Sequence, residues 1–447
     1  MGIYFKTDKC NMSDNGLNQK RGRGAEWLRN HPWLWIPGVM LTRFIPWVIL
    51  LASMPLFLLR CDMTNADIFW YVSLLWLPWL LKPVWVVILD RLPSHRIWFL
   101  IANGLMVMGL FLLSSSLTAS NWLTSIMLCL WLISFSGSIL DTIVDDAYPQ
   151  LTSGRLREAY SGVMCSFYRV VVAVVLGIFV MVAGNIEVVT RKVVSSWASM
   201  YYSLALISLL LFMINFMLVP MKTVRLDEGK RNTATQRLSF RQLCHTLCSP
   251  FGSWSRVIFL MLYPLPVILT ERVALIFFSD AGHTGGLGLS PQETAFVFGV
   301  VGILSQAFGG IIGGMLVHRH GVGRWKWFMA LAVGLPQLIY ALISRTQPTD
   351  ITLLSSLVAM QQMCCGFGLV VYALMVVNTN GDRLGMAVST SILPFMFLVA
   401  GLYCGTLQES VGYYDYFLLV SLTSLLPLIV TALTSVPSIL GKRYGVK

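Results

Sequence analysis

PMKTVRLDEGKRNTATQRLSFRQLCHTLCSPFGS, residues 220–253, is the longest polar stretch inside a 447-residue chain that is 56% hydrophobic. Its flanks, 199–219 and 254–279, are apolar blocks of about 20 residues or slightly more, the length that crosses a hydrocarbon core of about 30 Å as a helix. Outward from this break the same alternation of apolar block and polar gap repeats. Toward the N-terminus the blocks fall at 33–59, 68–89, 97–117, 122–144 and 162–184. Toward the C-terminus they fall at 293–317, 325–344, 351–378, 385–406 and 413–438. Six spans are predicted on each side of the break.

The basic residues test this map. With the gaps numbered alternately from the N-terminus, twenty-three of the 32 lysines and arginines lie in the odd gaps. Four (Arg60, Arg191, Lys192 and Arg345) lie in the even ones. Basic residues accumulate on the cytoplasmic side of membrane proteins, so this asymmetry places both termini there, and dropping one span would scramble it. The predicted organisation is a cytoplasmic tail 1–32, a six-helix half 33–219, a cytoplasmic linker 220–253, a second six-helix half 254–438 and a cytoplasmic tail 439–447. Short basic turns recur at matching places in the two halves: Asp90-Arg91 with Arg96, and Gly314 followed by Arg319, Gly321 and Arg324. Two six-helix halves joined by a linker describe the major facilitator architecture, an all-α membrane fold of twelve helices. The glycines Gly309-Gly310 and Gly313-Gly314 predict close packing of the eighth helix.

Composition excludes several classes. Only 12% of residues are charged, against about 25% in soluble domains. The net charge of +12 is spread over loops on one side, so it points to membrane orientation rather than nucleic acid. The polar, basic first 30 residues lack the apolar core and small-residue site of a cleavable signal. Most cysteines sit in apolar blocks (Cys129, Cys165, Cys364, Cys365, Cys404), and Cys244-His245 with Cys248 matches no standard metal spacing. No metal or cofactor is expected. No Walker-type loop appears, so ATP is not the expected driver. The six histidines lie outside the spans or at their edges, which argues against a membrane-embedded enzyme.

Ionisable groups inside spans cost roughly 3 kcal/mol each on insertion scales, so they mark function. Arg43, followed by Pro46, is a candidate contact for a substrate anion; the alternative is a charge satisfied by a neighbouring helix. Asp141 and Asp145 share a face of the fourth helix. Asp141 is either a proton carrier or, at comparable depth, the partner of Arg169, which follows Tyr168. Asp145 and Asp146 read as gate charges pairing with basic loops such as Arg91, with Asp90 and Arg319 in the same gate. Glu271-Arg272 lies centrally in the seventh helix. Adjacent residues point about 100° apart, so one of the two is expected to face the cavity. Gln306, Gln361, Gln362 and Asn378 are candidate contacts for a sugar or peptide; the alternative is polar groups satisfied by neighbouring helices. Lys82, next to Pro83, is expected to snorkel to the cytoplasmic surface, and Trp70, Trp76, Trp79 and Trp85 read as helix-surface or interface anchors.

Several stretches carry a family resemblance. Leu74-Leu-Trp-Leu-Pro-Trp-Leu-Leu-Lys-Pro-Val-Trp85 resembles the second helix of AmpG-like muropeptide permeases of the major facilitator superfamily. Asp141-Thr-Ile-Val-Asp145 is similar to their fourth helix and Ser166-Phe-Tyr-Arg169 to their fifth. Gly285-Gly-Leu-Gly-Leu-Ser290 with Gln292-Glu293 is similar to the turn into the eighth helix of Bacteroidetes-type members. The resemblance is collinear from about Trp33 to Tyr416. It implies a secondary active transporter, a proton symporter of the inner (cytoplasmic) membrane, importing anhydro-muropeptides from cell-wall turnover. The implied partners are a small-molecule substrate, protons and the lipid bilayer, with the protein a monomer. Two departures touch cavity positions. Arg43-Phe44-Ile45-Pro46 stands where the family tends to have glutamate or a small residue before Gly-Leu-Pro. Leu265-Pro266-Val267 stands where an acidic residue is usual, with Glu271 about one turn later. The alternatives are transport of another solute, such as a siderophore or an acyl-CoA-type anion, and a membrane sensor that no longer transports.

Overall fold

An apolar segment in lipid finds no water for its backbone N–H and C=O groups, so each must satisfy them internally as a helix. The computed structural model describes residues 31–91, 94–152, 159–219, 254–378, 383–434, 436–437 and 440–441, and all regular structure among them is helical. The 220–253 segment, with Cys244, His245 and Cys248, lies outside the described residues, as do most of the two tails. In the first half, α1 is Ile36–Arg60, α2 Asn65–Leu89, α3 His95–Ser116, α4 Trp122–Leu151, α5 Tyr160–Thr190 and α6 Val193–Leu218. In the second, α7 is Trp254–Ser279, α8 Pro291–His320, α9 Val322–Thr346 and α10 Ile351–Val377. A last helical run covers Arg383–Leu433, but Gly412 sits at φ 81°, ψ 169°. That left-handed φ is open to glycine and ends a helix. It divides the run into α11 (383–411) and α12 (413–433), so all twelve predicted spans are present.

Side chains facing the bilayer are apolar: Leu128, Ile178, Leu304, Phe308 and Leu422 are all exposed. The halves meet along α2–α11, α5–α8 and α1–α7. We call the end that carries the basic gaps, where α1 begins and α2 ends, the basic end.

Three spans change pitch midway. Ile49–Ser53 in α1, Ala173–Val180 in α5 and Ala295–Gly302 in α8 wind as π-helix, a form that concentrates at functional sites. Prolines interrupt two others. Pro78 and Pro83 break α2 into three short helices, since neither can donate a backbone hydrogen bond. The Pro78 carbonyl, left with only a tight-turn bond from Leu81, also accepts from Ser138 Oγ (2.6 Å) and Trp85 Nε1 (3.1 Å). Tyr263-Pro264 likewise breaks α7.

Glycines set how closely helices approach. A Cβ on Gly309 would run into the Met363 carbonyl, and one on Gly366 into the Gln306 carbonyl, so α8 and α10 touch backbone to backbone. Gly314, in the same glycine run, faces open space. Gly309→Val should therefore lower the thermal unfolding temperature of the detergent-purified protein by several degrees, as overpacking by about 1–3 kcal/mol does. Gly314→Ala should leave it unchanged. Equal melting curves for the two variants would show that the α8–α10 contact does not limit stability.

Candidate functional site

Where the halves face each other midway across the fold lies a cavity of about 110 Å³. The π segments supply part of its wall: Leu51 and Ala52 from α1, Leu176 from α5 and Phe298 from α8. Its polar lining is Tyr168, Glu271, Arg272, Gln306 and Gln362. Glu271 and Arg272 both line it, against the expectation that only one would. The cavity wraps around the α7 surface, and two long side chains 100° apart both reach it.

The polar atoms here are under-used. Glu271 Oε1 accepts from Gln362 Nε2 (3.2 Å) and forms no ion pair among the described residues. Arg272 is 5% exposed and donates Nη2 to the Phe397 carbonyl (2.8 Å), while its Nε and Nη1 have no partner. Arg169 reaches the cavity through Gln306, whose Oε1 accepts from Arg169 Nε (3.4 Å), in space left by Gly310. Gln361 turns the other way, donating to Gln337 Oε1 (3.2 Å) and Cys365 Sγ (3.1 Å) inside the second half.

Four further intraspan charges form a separate set. Asp141 and Asp145 are bracketed by Arg43 and Lys82. Arg43 Nε pairs with Asp141 Oδ1, and Arg43 Nη2 is 2.6 Å from Asp145 Oδ1. Lys82 Nζ lies 2.8 Å from Asp141 Oδ2 and 2.7 Å from Asp145 Oδ2. Tyr160 donates its hydroxyl to Asp145 (2.5 Å) and accepts from Arg43 (2.7 Å), and Trp79 Nε1 donates to Asp141 (3.1 Å). All are buried.

This arrangement corrects three expectations. Asp141 does not pair with Arg169; two nearer cations take its oxygens. Lys82 does not snorkel. The broken α2 turns it inward, where two carboxylates and Thr390 (3.2 Å) accept its protons and leave it 1% exposed. Asp145 serves this set, with Arg43, Lys82 and Tyr160 as its partners. At 1.5 Å per residue, Arg43, Lys82 and Asp141 lie about 10–15 Å from the basic end, and Glu271, Gln306 and Gln362 about 20–25 Å. None of Arg43, Lys82, Asp141 or Asp145 lines the cavity.

Contacts join the halves at both ends of the fold. At the basic end Arg383 of α11 donates to Asp90 of α2 (2.9 Å) and to both oxygens of Asp146 of α4 (2.5 and 2.8 Å). Of the gate residues read from sequence, Asp90 and Asp146 meet here, whereas Arg319 is exposed and forms no ion pair among the described residues. Below this bridge Val86, Val87, Leu384 and Ala387 form an apolar seal. At the opposite end Asn65 of α2 donates to Gln408 Oε1 (2.7 Å) and the Tyr413 hydroxyl (2.8 Å). Deeper in, beside the cavity, Gly177 lies against the Gly299 backbone.

Sequence reasoning missed Tyr160 and Arg383, and misplaced Lys82. The available signal for Lys82 was charge balance: Arg43, Lys82, Asp141 and Asp145 sum to zero. Removing one member leaves its partner uncompensated, so Arg43→Met should cost about 3–5 kcal/mol and sharply reduce folded protein. Arg43→Met with Asp145→Leu restores neutrality around Lys82–Asp141 and should recover most of it. Size-exclusion yield of the two variants checks this; a double variant no better than the single one refutes pairwise neutralisation.

Known proteins with this chain architecture are membrane transporters. The chain superposes on the nucleoside transporter NupG at a TM-score of 0.61 and 15% identity, covering 91% of this chain and 98% of that one. It matches a D-xylose-proton symporter at 0.63 and 13%, covering 92% and 98%. It matches a POT family transporter bound to 5-aminolevulinic acid at 0.64 and 12%, covering 90% and 96%. Such identities speak to the fold alone, and that fold is the major facilitator one. No curated protein sequence matches the chain. The BT1 family profile matches residues 47–435, spanning all but the start of α1 and most of the charges described above, and the chain belongs to the BT1 family.

Proposed function

We propose that the protein is a secondary active transporter, a proton symporter, that takes a polar organic anion from the side opposite the basic end and releases it at the cytoplasmic, basic end. The observation that carries this reading is the meeting, in one cavity, of a carboxylate without an ion-paired cation and a guanidinium with two nitrogens unused among the described residues. A buried charge is costly unless compensated. Arg272 would hold a solute carboxylate, and Glu271 would take the proton that travels with it. Gln306, Gln362 and Tyr168 would hydrogen-bond hydroxyl or amide groups. The locked set around Asp141 takes no part in proton movement on this reading, because each of its carboxylate oxygens already has a cation.

Among solutes, anhydro-muropeptides fit the collinear resemblance to muropeptide permeases and supply both carboxylate and sugar hydroxyls. A siderophore or an acyl-CoA-type anion would use the same Arg272 contact. The test is uptake of labelled anhydro-muropeptide by cells lacking their own permease, with and without a protonophore. Saturable, protonophore-sensitive uptake is expected. No uptake with the protein in the membrane refutes the muropeptide assignment, and ligand binding without transport would favour a sensor. Glu271→Gln should abolish uphill accumulation and spare exchange. Arg272→Gln should raise KM about tenfold or more, the loss expected for a hydrogen bond to a charged group. Normal accumulation by the Glu271→Gln protein would remove Glu271 from coupling.

A further inference from the structure

Between the cavity and the charge cluster lies a layer of aromatic rings that neither feature explains. Trp47 of α1, Trp76 and Trp79 of α2 and Phe397 of α11 pack with ring centroids 4.9–6.2 Å apart. Trp76 and Trp79 are fully buried, against the expectation that they anchor at interfaces. Trp79 is tied to Asp141 on one side of the layer, and Phe397 lines the cavity on the other. By helical rise Trp47 and Trp79 lie about 15 Å and Trp76 and Phe397 about 20 Å from the basic end, so the layer forms the cavity's floor toward that end.

The layer crosses the boundary between the halves at Phe397, from the second half. Trp76, from the first, packs on it tilted at 5.0 Å, and Trp47 meets it edge-on at 6.2 Å. Arg272 sits over both rings, 6.0 Å from Trp76 and 5.2 Å from Phe397, and holds the Phe397 carbonyl. Gly401, one turn beyond Phe397, lets α11 approach α2 here: a Cβ there would strike Ser73 Oγ. The indole N–H groups of Trp47 and Trp76 have no partner, so these rings are held by packing rather than by hydrogen bonds. A contact of this kind can part without leaving a broken hydrogen bond behind.

We propose that the Trp76–Phe397 stack, clamped by Arg272, is an inner gate that closes the cavity toward the basic end. The outer closure on the same path is the Arg383 bridge to Asp90 and Asp146. Arg272 thus contacts the cavity and the gate at once. This inference rests on the reading of the chain as a transporter that opens its cavity to either side.

The test needs no solute. Ala52 lines the cavity, and Ala52→Cys places a reporter there. Sealed vesicles are labelled with a membrane-impermeant maleimide from each side, and the rate is compared with that of the chain lacking Ala52→Cys, which accounts for the native cysteines. Adding Trp76→Ala should speed labelling from the basic side about tenfold, the shift that loss of an aromatic pair and a cation–π contact can produce. Phe397→Ala and Arg272→Gln should do the same, and labelling from the opposite side should not rise. Trp70→Ala, at an exposed position, should change nothing. Unchanged labelling in folded Trp76→Ala and Phe397→Ala proteins would overturn the gate. A rise in those two without one in Arg272→Gln would overturn the clamp. Because labelling is measured without solute, it reports on the gate even if muropeptide uptake fails.

Discussion

Four formal charges inside hydrocarbon must find one another or the helices that carry them will not assemble. Arg43, Lys82, Asp141 and Asp145 meet this constraint together, and much else follows from it. Each carboxylate oxygen of the two aspartates faces a cation, so α1, α2 and α4 are held at a fixed mutual position, with α5 joined through Tyr160. The breaks at Pro78 and Pro83 give α2 the irregular path on which Lys82 points inward. The set is nearly self-contained: its hydrogen bond to the other half is from Lys82 to Thr390. The set thus ties four helices of the first half together, while the charged groups lining the cavity from α7, Glu271 and Arg272, have no ion pair among the described residues.

The two ends of the fold are closed by different chemistry. At the basic end one guanidinium bridges two carboxylates over an apolar seal. At the opposite end amide and hydroxyl groups meet, and deeper in, beside the cavity, Gly177 and Gly299 bring α5 and α8 together without side chains between them. Ionic contacts at a partly wet surface weaken with salt, whereas backbone packing between glycines does not. The π segments sit beside that glycine contact and along the cavity wall. There a locally wider helix shifts side-chain direction without a proline.

The span count and the two-half organisation were legible because hydrophobic length and loop charge are one-dimensional signals. Even the α11–α12 break left its trace as a polar gap containing Gly412. The candidate site was legible only in part. Glu271, Arg272, Tyr168 and Gln362 stood out as polar groups in apolar helices, and they do line the cavity. Their neighbours in space could not be read from spacing along one helix. Depth alone made Asp141 and Arg169 look like partners, yet rotation about the helix axes gives Asp141 to Arg43 and Lys82. Lys82 was near enough to a helix end for its stem to reach water, and only the local break in α2 directs it inward. Arg383 passed as one loop charge among many, because nothing in its own neighbourhood announces two carboxylates more than 200 residues earlier in the chain.

The neutrality of the buried set bears on membrane voltage. Moving one elementary charge through the full potential involves about 2.3 kcal/mol per 100 mV. Two cations and two anions locked within a few ångströms move as a unit of zero net charge, so the field does almost no work on them as the halves rock. Voltage acts instead on intraspan charges outside the set, such as Arg169, Glu271 and Arg272, which form no ion pair among the described residues. Within the first half, the neutral set adds nothing to the pull that the field exerts on Arg169.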